Sequence, residues 1–287
     1  MADPQRLTFH SADGTALVAY WHPAEDPQHL PVLLAHGFGE HSGRYAHVVA
    51  PLVDRGLGVL RFDFRGHGES AGKRGHVQRF ERFVDDLEAA SKLLLDCAKS
   101  EQHLSLAHSY GGLVTSLWLA DRRPPVRAFA CTSPAFGFAV QLPKWRKRLA
   151  NCMSRLWPSY SEPNRIDRSI LTHDPEQQAR HEEDRRNGNR ASARFYTESL
   201  IAQVRALDLA SSLKLPRLII AAGDDQLVST PAIERFAAAS RGDCDLRVLP
   251  GAYHELFNEL PEWRRPALNA VLEFLERHGE LKSEQAG

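Results

Sequence analysis

The 287-residue chain has little cysteine, no charge surplus and no long apolar run. Each shortage excludes something. Cysteine occurs only as Cys97, Cys131, Cys152 and Cys244, with no C-x-x-C spacing to suggest a zinc or redox site. Such thin, scattered cysteine is the pattern of reduced thiols, so a cytoplasmic setting is expected. No apolar stretch approaches the ~20 residues of a membrane-spanning helix. The opening residues Met1 to Arg6 lack the apolar region of a signal peptide, which argues against secretion. The 36 basic and 36 acidic side chains cancel, leaving no cationic excess for phosphates, so no nucleic-acid partner is expected. Segment His181-Glu182-Glu183-Asp184-Arg185 lacks the second histidine of a zinc-binding HExxH. The pairs Gly37/Gly39 and Gly66/Gly68 complete no dinucleotide fingerprint. Neither a metal nor an organic cofactor is expected.

What the chain does have is 43% hydrophobic residues, enough to exclude disorder and build a large core. At ~150 residues per domain the length suggests two units, although α/β folds often use it for one domain plus an insertion. Leu7–His10 and Ala16–Trp21 read as antiparallel strands joined through Asp13-Gly14, a favoured turn pair. Short apolar runs then stop at glycine-bearing loops: 31–35 before His36-Gly37-Phe38-Gly39, and 58–62 before the turn Asp63–Ser70. Helical patterns at 45–55, 80–98 and 111–120 alternate with strands at 104–108 and 126–131. Such alternation predicts a mostly parallel sheet flanked by helices. After about seventy intervening residues the alternation resumes with strands at 217–222 and 246–249 and helices at 232–239 and 262–278. An interruption that long is unlike bare loop. The expected division is a core of 1–136 and 211–279, a helical cap of 137–210 inserted after the sixth strand, and a frayed tail of 280–287.

Chemistry concentrates at Ala107-His108-Ser109-Tyr110-Gly111-Gly112, between a predicted strand and a predicted helix. A G-x-S-x-G elbow needs small neighbours because the turn is strained and the helix packs closely on the strand. Ala107 in place of the first glycine is one methyl larger and keeps the neck narrow. Ser109 is the candidate nucleophile, and a serine needs a base. In folds with this elbow the acid and then the histidine follow the serine in sequence. Only His254 and His278 come after the last strands begin. His278 ends the final helix, where a cation suits the helix dipole. His254 follows a strand, in Gly251-Ala252-Tyr253-His254, and is the expected base. The acid belongs after 217–222, where Asp224-Asp225 stands. Asp225 is preferred, with Asp224 the alternative if the turn is shifted by one residue. The loop His36-Gly37-Phe38-Gly39 is placed to supply the Phe38 N–H to an oxyanion hole shared with the Tyr110 N–H. One such donor is worth about 3 kcal/mol of barrier. His36 and His108 are read as buried hydrogen-bonding residues.

With those residues in place, the chain resembles the monoacylglycerol lipase and lysophospholipase branch of the α/β-hydrolases, the serine aminopeptidase S33-type hydrolases. The resemblance rests on His36-Gly37-Phe38-Gly39-Glu40-His41-Ser42-Gly43-Arg44-Tyr45, the turn Asp63–Ser70, the Ser109 elbow and Gly251-Ala252-Tyr253-His254, and it spans nearly the whole core. It implies an α/β-hydrolase fold and a serine hydrolase of single-chain lipid esters. Ser109, Asp225 and His254 would form the triad, with Phe38 and Tyr110 as oxyanion donors. Glu40, Arg44 and Arg65-Gly66-His67-Gly68 would brace loops. The charged run His181 to Arg186 departs from the Tyr-x-x-Asp-Pro-Leu often found there, which bears on substrate and not on chemistry.

Monoacylglycerol is the expected substrate, with lysophospholipase or general carboxylesterase activity the alternatives and a catalytically silent ligand-binding protein the non-enzyme reading. In the cap, Trp145, Leu149, Met153 and Leu156 share one face of a helix predicted over 143–157, with Lys144, Lys147, Arg148 and Arg155 elsewhere. That face is expected to pack over the pocket. The other setting is a transient lipid-surface contact through the cap. Residues 176–194 are expected to be a solvated face.

Overall fold

The computed structural model describes residues 3–281, apart from 141, 164 and 165. Its main sheet has eight strands: β1 (Gln5–His10), β2 (Ala16–His22), β3 (Val32–Ala35), β4 (Val59–Asp63), β5 (His103–His108), β6 (Val126–Thr132), β9 (Arg217–Ala222) and β10 (Cys244–Leu249). They are ordered β1-β2-β4-β3-β5-β6-β9-β10. β2 runs antiparallel to both β1 and β4, and every other neighbour is parallel. Each residue of β3, β4, β5 and β9 is buried, because helices cover both faces.

One face packs α2 (Glu81–Ala98), α3 (Tyr110–Arg122) and α7 (Thr230–Ala239), with Phe83, Leu87, Leu113, Leu117 and Phe236 in its core. The other packs α1 (Ala46–Val53) and α8 (Pro261–Gly279), through Val48, Leu52, Val271 and Leu275. β3, β5, β9 and β10 run parallel in this sheet, with β6 between β5 and β9, so the loops after their carboxyl ends share one edge, as in open α/β sheets generally. This is the α/β-hydrolase fold.

Between β6 and β9 the chain forms α4 (Lys144–Leu156), α5 (Pro175–Glu183) and α6 (Ala193–Leu209), together with a two-stranded antiparallel ribbon of β7 (Ser161–Pro163) and β8 (Arg190–Ser192). Local chemistry starts the helices. Asp174 caps α5 by accepting from the Glu176 and Gln177 N–H groups, with Pro175 at the first position. Ser192 caps α6 through the Phe195 N–H. The start of the tail expected to fray from residue 280 is held in place. Glu280 bridges to His29 and its carbonyl accepts from Arg127 Nη1 at 2.9 Å. Residues 282–287 lie outside the described residues.

Two expectations for this segment are corrected. The apolar face of α4 does not pack over the pocket: Trp145, Leu149 and Leu156 are 61%, 51% and 75% exposed. α4 turns its polar side inward, where Ser154 Oγ meets Thr197 Oγ1 of α6 at 2.8 Å and the Ser154 carbonyl accepts from Arg194. Nor is 176–194 wholly a solvated face, since His181, Gly188 and Ala191 line a cavity that also holds Ser109 and His254.

Candidate active site

Ser109 sits between β5 and α3 with φ +50° and ψ −116°, a conformation costing about 1–3 kcal/mol for a non-glycine residue. Neighbouring bonds enforce it: the Ser109 N–H donates to the Thr132 carbonyl at 2.9 Å, and its own carbonyl accepts from Ala135 at 3.0 Å. Gly111 lets the helix sit against the first parallel strands. A Cβ there would lie 2.6 Å from the Ala35 and His36 carbonyl oxygens. Ala107, buried in β5, fills the position of the elbow's first glycine.

The bend brings together the three residues chosen from distant parts of the sequence. Ser109 Oγ donates to His254 Nε2 at 2.8 Å, and His254 Nδ1 donates to Asp225 Oδ2 at 2.7 Å. Asp225 Oδ1 accepts from the Leu227 and Val228 N–H groups, both at 2.9 Å, which fixes the carboxylate. Asp224 is exposed, and its backbone N–H bonds the Ala252 carbonyl. His278 lies at the far end of α8, against Phe274.

Burial raises the Asp225 carboxyl, but the adjacent His254 and the two N–H bonds leave it below its usual range. Burial lowers the His254 imidazole, but Asp225 first, and Glu255 and Glu40 after it, leave it above its usual value. His36 donates from Nδ1 to the Gly37 carbonyl and accepts at Nε2 from Phe64 N–H. His108 Nδ1 pairs with Thr132 Oγ1, and burial pushes its imidazole down to about 4.

The Phe38 and Tyr110 N–H groups have no protein acceptor among the described residues. Tyr110 opens α3, so its N–H points out of the helix end. The Phe38 loop is shaped by Gly37 N–H donating to Glu40 Oε1 at 2.6 Å and by Gly39 at φ +76°. The Phe38 and Tyr110 side chains converge on Phe195 of α6, with centroids 4.0 and 5.0 Å away. Two contacts tie the same loop to the inserted segment. Gly188 N–H donates to the Gly39 carbonyl at 2.9 Å, and His41 Nε2 meets Asp184 Oδ2 at 2.9 Å.

Above Ser109 opens a cavity of about 560 Å³, within the range of small-molecule sites. Its apolar lining includes Phe138, Val140, Leu142, Tyr196, Leu227 and Val228. Its charged and titratable lining includes Glu40, His181, Arg168 and Glu255. Sequence reasoning missed His181 and Glu255. The signal for Glu255 was its place directly after His254. His181 was hidden in a charged run, and its Nδ1 is buried without a hydrogen-bond partner.

Residues 26–261 match the family model described as serine aminopeptidase, S33. A monoacylglycerol lipase of Mycolicibacterium smegmatis is 30% identical, covering 90% of this chain and 91% of that protein. The crystal structure of the Paleococcus ferrophilus monoacylglycerol lipase superimposes with a TM-score of 0.84 at 29% identity, over 91% of this chain and 99% of that one. An abhydrolase domain-containing protein of Dictyostelium discoideum is 30% identical over 83% of this chain, which spans only 25% of that longer protein. The chain belongs to the serine aminopeptidase S33 family and is a hydrolase of the α/β-hydrolase fold, in the branch that resembles monoacylglycerol lipases and lysophospholipases.

Proposed function

We propose that the chain is an ester hydrolase that cleaves monoacylglycerols through an acyl-enzyme on Ser109. The observation carrying this reading is the hydrogen-bonded path from Ser109 through His254 to Asp225, opening into a cavity with a mainly apolar lining. Ser109 Oγ attacks the ester carbonyl carbon as His254 Nε2 takes its proton. The Phe38 and Tyr110 N–H groups receive the developing oxyanion. Collapse breaks the bond to the alcohol, which leaves with the proton from His254. Water then attacks the acyl-enzyme with His254 again as base, freeing the acid and Ser109. Residues 1–136 and 211–279 act as the core and 137–210 as the cap.

Hydrolysis of p-nitrophenyl esters of increasing chain length is expected to show kcat/KM rising about three- to fourfold per methylene until the apolar lining is covered. Monoacylglycerols are expected to exceed lysophosphatidylcholine of the same chain. No acid released from any of these esters rejects the function. A preference for lysophosphatidylcholine replaces the glycerol ester as substrate.

The cap also meets the lipid surface in this reading. Trp145, Leu149, Leu156 and Trp157 stand exposed on α4 and just beyond it, with Ile201 and Val204 on α6, and Arg148 and Arg155 lie on the same helix as the first three. Such a surface suits a headgroup boundary. No helix among the described residues is long and apolar enough to cross a membrane. The four cysteines are free thiols, which supports a cytoplasmic enzyme held at membranes peripherally. Changing Trp145 and Leu149 together to Ser is expected to leave hydrolysis of dissolved p-nitrophenyl butyrate unchanged. Hydrolysis of monoacylglycerol embedded in anionic vesicles should fall about tenfold. Equal rates on both substrates remove the surface contact.

A further inference from the structure

Besides Asp225, the paired acid of His254, two further carboxylates, Glu255 and Glu40, line the cavity that holds the His254 imidazole. Glu255, the next residue, lines the same cavity and is 6% exposed. Its carboxylate accepts from the Arg44 guanidinium twice, at 2.8 Å from Nη1 to Oε1 and 2.6 Å from Nη2 to Oε2. Arg44 Nη1 also donates to Glu40 Oε2 at 2.9 Å. Two buried carboxylates therefore share one buried guanidinium, and one negative charge is left over.

Both acids remain ionised. Burial pushes the Glu255 carboxyl up, but Arg44 pulls it well below the usual carboxylate range. Glu40 is likewise lowered, again by Arg44 against the cost of burial. Arg44 with Glu40 alone would be a neutral pair. Glu255 Oε2 also accepts from Asn258 Nδ2 at 3.0 Å, but a buried ion pair is weak evidence of stability, since apolar residues of similar volume often do as well. The surplus charge calls for another role, and the nearest group that gains a positive charge during the reaction is His254.

Taking the proposed mechanism as its basis, we infer that Glu255 is a positioning residue whose added charge stabilises the imidazolium of His254, supplementing Asp225, while the Ser109 proton resides on Nε2. The titratable and charged groups around His254 come from several elements. Asp225 stands in the loop after β9. His108, at the end of β5, has its ring centroid 4.9 Å away and is kept neutral by burial. Glu40 and Arg44 come from the loop after β3. His181 of α5 is held below its usual value by burial and by Arg44. Arg168 also lines this cavity, so the anions Asp225, Glu255 and Glu40 outnumber the cations Arg44 and Arg168 by one.

The test is the pH profile of kcat/KM on a dissolved p-nitrophenyl ester, compared for the parent, Glu255→Gln and Glu255→Asp. Glu255→Gln keeps the length and hydrogen-bonding capacity but removes the charge. Its acid limb should move down by about one pH unit, with kcat on the plateau about tenfold lower and KM little changed. Glu255→Asp keeps the charge, and its limb should stay close to that of the parent. Loss of kcat or of thermal stability in Glu255→Gln with an unmoved limb leaves only a structural role and overturns the inference. If Glu255→Gln does not fold, Glu40→Gln removes the other carboxylate and must move the limb in the same direction; an unmoved limb there is equally fatal. A parent that hydrolyses no ester at any pH rejects the proposed function itself. An active parent whose profile Glu255→Gln reproduces rejects Glu255 alone.

Discussion

Ser109→Ala is expected to lower kcat for ester hydrolysis on the order of 10⁴-fold or more, with melting temperature little changed. The substitution removes one oxygen and its 2.8 Å bond to His254 while leaving the backbone path of the elbow intact. The Thr132 and Ala135 backbone bonds that hold φ at +50° do not involve the side chain. Loss of folding would therefore be a surprise. A fluorophosphonate should label the Ser109 peptide of the parent and nothing in the variant. Retention of most turnover, or a label on another peptide, rejects the nucleophile.

Nearly as large a loss is expected from Asp225→Asn, about 10⁴-fold in kcat. The chemistry is one of tautomers. Two backbone N–H groups already bind Oδ1, so an amide at this position keeps its oxygen there and turns its NH₂ towards His254 Nδ1. The imidazole must then accept at Nδ1 and carry its proton on Nε2, where it cannot take the proton of Ser109. Asp224→Asn touches no part of this path and should leave kcat within about twofold of the parent. Equal losses from the two, or the larger from Asp224→Asn, would reassign the acid.

A single residue of register separates those carboxylates, and sequence alone left Asp224 open as the alternative. The elbow was readable because a strained turn between strand and helix tolerates few residue types, which made Ala107 to Gly112 stand out. The strands were readable because central parallel strands are apolar throughout. Features assembled by tertiary contact were not. His181 looked like one charge among many between 176 and 194, and nothing local shows that α5 turns it into the cavity. The α4 face around Trp145 has the periodicity of a packed helix, and only the placement of Ser154 against Thr197 shows which side faces inward. Glu255 carries no local sign that Arg44, more than two hundred residues earlier, neutralises part of its charge.

The backbone bond from Gly188 to Gly39 has a kinetic consequence. Gly39 adjoins the residue whose N–H would receive the oxyanion, and a Cβ on Gly39 would lie 2.9 Å from the Gly188 carbonyl oxygen. In the proposed reaction, parting Gly188 from Gly39 would strip a hydrogen bond from the donor loop. A change at Gly188 is therefore expected to register in turnover as well as in substrate affinity, read from kcat and KM on a dissolved ester.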